Sequence, residues 1–164
     1  MSLRPLEIED LAAILPPKGR LIGVDLGTKT IGLALSDVER RVGTPLLTIA
    51  RTRFAADAEQ LVAQIAKFDV FGLIVGLPLI MEGKDGPRSQ ATRAFMRNFT
   101  QKSPIPWAFW DERFSTAAVQ RSLIANDVSR ARRAEVIDKM AAAYILQGAL
   151  DRMASIAARK NAIE

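Results

Sequence analysis

Asp25 stands in an apolar run, Leu21-Ile22-Gly23-Val24-Asp25, directly before Leu26-Gly27. A carboxylate on a buried strand is costly unless it is paired or binds a metal. Gly23 and Gly27 flank it with no bulk of their own, although an Asp there can also serve only to order the turn. Asp111-Glu112 closes a second apolar run, residues 105–110. In α/β sheets, sites form at the carboxyl ends of strands, but the pair fits the acidic first turn of a helix near Ser115 equally well. Asp138 shares a helix face with Ala141, Ala142 and Ile145 by the i+3, i+4, i+7 rule. The run Ala141-Ala142-Ala143 lets that helix approach a sheet closely and press Asp138 towards it. The alternative is a charge at the edge of the stripe that reaches water. Glu135, one turn earlier, can add a further acid.

The chemistry open to these residues is narrowed by what is missing. The chain has no cysteine and no histidine, so disulfides, thiolate metal sites, imidazole-bound zinc and a Ser-His-Asp triad are excluded. Carboxylate oxygens suit hard divalent ions, Mg²⁺ or Mn²⁺. Two such ions roughly 3.5–4 Å apart activate water and stabilise the leaving oxygen in phosphodiester cleavage.

The elements that must position these acids can be read from periodicity. Residues 21–26 and 31–35 are short apolar runs around a Gly27-Thr28-Lys29-Thr30 turn, the pattern of a β-hairpin. Residues 44–50 form a third strand. Residues 54–68 carry Leu61, Val62, Ile65 and Phe68 at a helical period. Residues 70–77 are apolar on both parities, as in a strand buried on two faces. A Gly- and Pro-containing loop spans 78–87, a helix 89–99, and a strand 105–110. Ser115 can cap a helix to about residue 124, and Ser129 a long last helix to about residue 158. This order predicts an α/β domain with a mixed central sheet of about five strands, Asp25 near its middle, flanked by helices. Residues 1–19 read as an N-terminal appendage, 20–158 as the domain and 159–164 as a C-terminal tail.

Four segments resemble the YqgF (RuvX) family of Holliday-junction-resolvase-like proteins. They are Gly23-Val24-Asp25-Leu26-Gly27 continuing through Ile31-Gly32-Leu33-Ala34-Leu35-Ser36-Asp37; Val75-Gly76-Leu77-Pro78-Leu79 with Met81-Glu82-Gly83; Trp110-Asp111-Glu112-Arg113-Phe114-Ser115-Thr116; and Ile137-Asp138-Lys139-Met140-Ala141-Ala142. The resemblance covers about residues 20–151. It implies a ribonuclease-H-like fold and a metal-dependent nuclease that matures the 5′ end of pre-16S ribosomal RNA, or resolves branched DNA. It implies that Asp25, Glu112 and Asp138 are catalytic and hold Mg²⁺ or Mn²⁺. Ile80 departs from the family pattern, where a polar residue is expected.

The implied partner is nucleic acid, a structured precursor rRNA or branched DNA, in the setting of ribosomal particles. Lys84, Arg113, Arg130, Arg132 and Arg133 are the expected nucleic-acid contacts. Arg93 and Arg97 share a helix face and form a further basic pair. Lys plus Arg is 23 against 18 for Asp plus Glu, a net charge of +5, which suits a polyanion and equally suits a solvated basic surface. No apolar run reaches the roughly 18 residues of a membrane span and no signal layout opens the chain, so the expectation is a cytoplasmic monomer or homodimer. Asp25-Leu26-Gly27-Thr28-Lys29-Thr30 also resembles the first phosphate loop of the actin and sugar-kinase superfamily. Those ATPases need two such domains, and this chain has length for one. A third reading is a catalytically silent RNA-binding factor.

Overall fold

The computed structural model describes residues 3–114 and 130–163, with only the backbone described at 114 and 130–138. Five strands form one sheet in the order β3-β2-β1-β4-β5. They are β1 (Arg20–Leu26), β2 (Thr30–Ser36), β3 (Gly43–Ala50), β4 (Val70–Leu77) and β5 (Trp107–Asp111). The helices are α1 (Ile8–Ile14), α2 (Phe54–Lys67), α3 (Pro87–Phe99) and α4 (Arg130–Ile163). The helix expected after Ser115 lies outside the described residues.

The hairpin β1–β2 closes as its sequence dictates, with the Gly27 N–H donating to the Thr30 carbonyl at 2.9 Å. β3 extends it antiparallel at the sheet edge, where Pro45 can be tolerated because an edge strand has no partner on its outer side. β4 then pairs parallel with β1, and β5 parallel with β4. β1 is therefore the central strand, and its residues alternate between two apolar layers. Ile22, Val24 and Leu26 pack with Leu61, Phe95 and Phe99 beneath α2 and α3. Leu21 faces the other layer, with Leu11 of α1 and Ala142, Ile145 and Leu146 of α4. Gly23 and Asp25 share that second face by parity.

α4 lies very close to this face. A Cβ at Gly23 would stand 2.7 Å from both the Ala142 carbonyl oxygen and Leu146 Cβ, so only glycine fits beneath the helix. Gln147 braces the helix to the sheet edge: its Oε1 accepts from the Gly43 N–H at 2.9 Å and its Nε2 donates to the Arg41 carbonyl at 3.0 Å. The helix continues through Ile163, so the last residues expected as a tail extend it instead.

The segment before β1 is joined to the domain. Leu11 is completely buried, and the Leu6 N–H donates to the Trp107 carbonyl at 2.9 Å beside a parallel bridge to Ala108. Arg40 ties the stretch leading into β1, its guanidinium donating to the carbonyls of Pro16 at 2.7 Å and Gly19 at 2.9 Å.

Candidate active site

Asp25 is 1% exposed, near the carboxyl end of the central strand. Its cross-strand neighbour on β2 is Gly32. On the other side, one step beyond the registered pair Val24–Val75, it comes level with Gly76 of β4. Neither neighbour has a side chain, so the carboxylate is enclosed without being crowded laterally. The glycines named from sequence do other work: Gly23 admits α4, and Gly27 closes the hairpin turn.

Glu112 arrives from the opposite side of Gly76. It begins the single 3₁₀ turn Glu112–Phe114 that follows β5, and Gly76 is paired with Trp110 in the β4–β5 ladder. A Cβ placed on Gly76 would lie 2.7 Å from Glu112 Oε1 and 2.5 Å from Ile145 Cδ1. Glu112 therefore reaches over Gly76 on the α4 face, the face to which strand parity assigns Asp25. The Glu112 Oε1 atom is itself buried. Two carboxylates 87 positions apart in sequence thus flank one residue that has no side chain.

Asp111 takes a different part. By alternation from Trp107 and Phe109 it belongs to the opposite face. There its carboxylate holds the Arg113 side chain, with Oδ2 accepting from Nη2 at 2.6 Å and from Nε at 3.1 Å. Burial works against its ionisation, but the Arg113 hydrogen bonds and charge outweigh that and hold its pKa below the ordinary 3.8. Arg113 Nη1 donates to the Met81 carbonyl at 3.1 Å, and its guanidinium packs on Gly83, which has φ +78°. This pins the loop between β4 and α3 to the end of β5. Lys84 stands exposed on the same loop, its carbonyl accepting from the Ile80 N–H at 3.0 Å.

The backbone of α4 carries residue 138 to this end of the sheet. Ala142 lies over Gly23, and the later residues Leu150 and Met153 lie near Leu15 and Arg40, at the start of β1. The helix thus runs antiparallel to β1. Four residues of helix from 142 back to 138 span about 6 Å, and two residues of strand from Gly23 to Asp25 span about 6.6 Å. Position 138 comes level with Asp25. The side chains of Asp138, Glu135, Arg130, Arg132 and Arg133 lie outside the described residues. Among the described residues, no three potential metal ligands gather; the two carboxylates beside Gly76 are what the described part supplies.

These two carboxylates fit a hard divalent ion. They offer oxygen donors only, and Glu112 Oε1 lies so close over Gly76 that no Cβ could stand there.

Residues 19–152 match the model of a family described as RuvX, Holliday junction resolvase. A relative from Methylocella silvestris, named as a candidate pre-16S rRNA nuclease, is 61% identical over 158 residues, covering 96% of this chain and 98% of its own. A relative of the same name from Beijerinckia indica is 59% identical over 154 residues, covering 94% of this chain and 93% of its own. Among solved structures, RuvC of Thermus thermophilus bound to a Holliday junction substrate superposes with a TM-score of 0.53 at 11% identity, over 83% of this chain and 96% of that one. At that identity the likeness is one of fold, the RuvC-like ribonuclease-H architecture.

Proposed function

Because the chain belongs to the RuvX family of Holliday junction resolvases, we propose that it is a metal-dependent nuclease acting in 5′-end maturation of pre-16S ribosomal RNA. The observation that supports this reading is buried Asp25, level by register with Gly76, the residue over which Glu112 Oε1 lies. Carboxylate oxygens suit a divalent cation, which also serves phosphodiester chemistry. The names of the relatives support this choice of substrate.

Asp25, Glu112 and Asp138 would hold Mg²⁺ or Mn²⁺, which supplies charge neutralisation at the phosphate and a more acidic water. The protein's own groups do the rest. Asp25 would hold the ion from the most fixed position, because the central strand holds it from both sides. Glu112, on a short 3₁₀ turn, and Asp138, on α4, would complete the donor set. Lys84, Arg130, Arg132 and Arg133 hold substrate phosphates as flexible or forked cations. Arg113 contributes chiefly by fixing the loop that presents Lys84, since its guanidinium is engaged by Asp111. The place of action is the cytoplasm, on precursor ribosomal particles, and the described helices include none long and apolar enough to cross a membrane.

The family description favours one further reading, cleavage of branched DNA. Purified protein with Mg²⁺ or Mn²⁺ separates the two when offered a 16S precursor bearing its 5′ extension and a four-way DNA junction. Cleavage of the RNA supports the proposal. Cutting of the junction alone replaces it with the resolvase reading, and cutting of neither leaves a silent RNA-binding factor.

A further inference from the structure

Across the sheet from Asp25, a cleft of about 470 Å³ opens between the N-terminal segment, α3 and β5. Its volume lies within the range of roughly 300–1,000 Å³ usual for small-molecule sites. Pro5, Met96, Trp107 and Phe109 supply apolar and aromatic walls, and Arg4 and Arg97 stand at its rim. No acidic side chain lines it. Arg4 and Arg97 make no ion pair among the described residues. Arg93, by contrast, is neutralised by Asp85 at 3.0 Å and lies over the Phe109 ring at 5.3 Å. Trp107 is 2% exposed, and its Nε1 donor finds no acceptor among the described residues.

The cleft is built in, because the Leu6 N–H bonded to the Trp107 carbonyl anchors its N-terminal wall to β5. A ligand that satisfies this lining has a flat apolar body and at least one negative charge. A nucleotide has both: every base presents a π-face for stacking, and arginine forks match phosphate. β5 lies two strand spacings, about 10 Å, from β1 within the sheet, and the cleft lies at β5 on the face opposite Asp25.

We propose that this cleft seats one unpaired nucleotide of the substrate strand, outside the cleavage site. The inference rests on reading the chain as a nucleic-acid enzyme, but its test reads binding and not cleavage. The chain has two tryptophans, so Trp110→Phe leaves Trp107 as the sole emitter. Titrating that full-length protein with adenosine 5′-monophosphate and with a short oligoadenylate is expected to change Trp107 emission saturably in both cases. Adding Arg4→Glu and Arg97→Glu is expected to weaken both at least tenfold, while Asp25→Asn leaves both unchanged.

Four results would overturn the proposal. They are no emission change, equal binding by the double Glu variant, displacement by inorganic phosphate as effective as by the nucleotide, and binding of the free nucleotide without the oligoadenylate. The last would make the cleft a mononucleotide site. If Trp110→Phe does not fold, calorimetric titration of the unmodified chain against its Arg4→Glu/Arg97→Glu variant reads the same comparison. Cleft binding that persists in a protein inactive on every substrate would count against the nuclease reading and not against this one.

Discussion

At the scale of single residues, the site depends as much on missing side chains as on the carboxylates. Gly76 separates Asp25 from Glu112, and a methyl group there would meet Glu112 Oε1 at 2.7 Å and Ile145 Cδ1 at 2.5 Å. Gly76→Ala should cost about 1–3 kcal/mol of stability through overpacking, read by urea denaturation. It should also lower cleavage by roughly 100-fold, because a displacement near 1 Å at a reacting centre has that effect. Asp25 stands out in the sequence as an acid in an apolar strand, and it is buried there. The roles of Gly32 and Gly76 were harder to see, since they need the β1–β2 register and the parallel pairing of β4.

The acids at the end of β5 divide by parity, with Asp111 on one face and Glu112 on the other. Sequence alone left that pair open, and the resemblance chose between its members. The pKa of Asp111 is lowered on folding: burial opposes the charge, but Arg113 more than compensates. Its contribution to stability is therefore complete above the unfolded value of 3.8 and is lost as pH falls through the lower folded value. Asp111→Asn should flatten the stability profile below about pH 4, followed by thermal melts across that range, and should free the Met81–Lys84 turn.

At the scale of elements, the strands and the inward face of α2 follow from periodicity; the β1–β2 hairpin lies within a residue of its expected bounds, and β5 begins at Trp107, two residues later than expected. The run before β1 was harder to read, because seven helical residues carry too little pattern to show what they cover. Leu11 is completely buried between the sheet and α4. Leu11→Ala should destabilise the domain by about 2–5 kcal/mol, the usual cost of deleting a buried leucine side chain. Chemical denaturation would measure it; a change under 0.5 kcal/mol, the range of an ordinary surface substitution, would mean that α1 is not part of the core. α4 was legible from Ala141-Ala142-Ala143, which let the helix close on the sheet. The close approach of its backbone at Ala142 depends on Gly23, 119 positions away, which no local pattern reveals.

At the scale of the whole molecule, the sheet order β3-β2-β1-β4-β5 brings the strand-end acids to one edge, and the antiparallel course of α4 brings residue 138 to that edge. The order of strands and helices made an α/β domain legible; the family resemblance supplied the particular fold. The net charge of +5 gives RNA binding a counterion-release component, so affinity should fall steeply with salt. Replacing Arg130, Arg132 and Arg133 with Ala should flatten the log–log salt slope by about 2 if each meets one phosphate of a single strand. Filter binding at several salt concentrations reads this, and an unchanged slope would turn the start of α4 away from the substrate.

The central claim is that Asp25 anchors a carboxylate metal site that cuts RNA. Its most direct test is cleavage of a 16S precursor with Mn²⁺ by the parent chain and by Asp25→Asn, with circular dichroism and RNA affinity measured on the same samples. The account predicts cleavage by the parent and none above background by Asp25→Asn, with fold and affinity retained. Undiminished cleavage by a folded Asp25→Asn would contradict it.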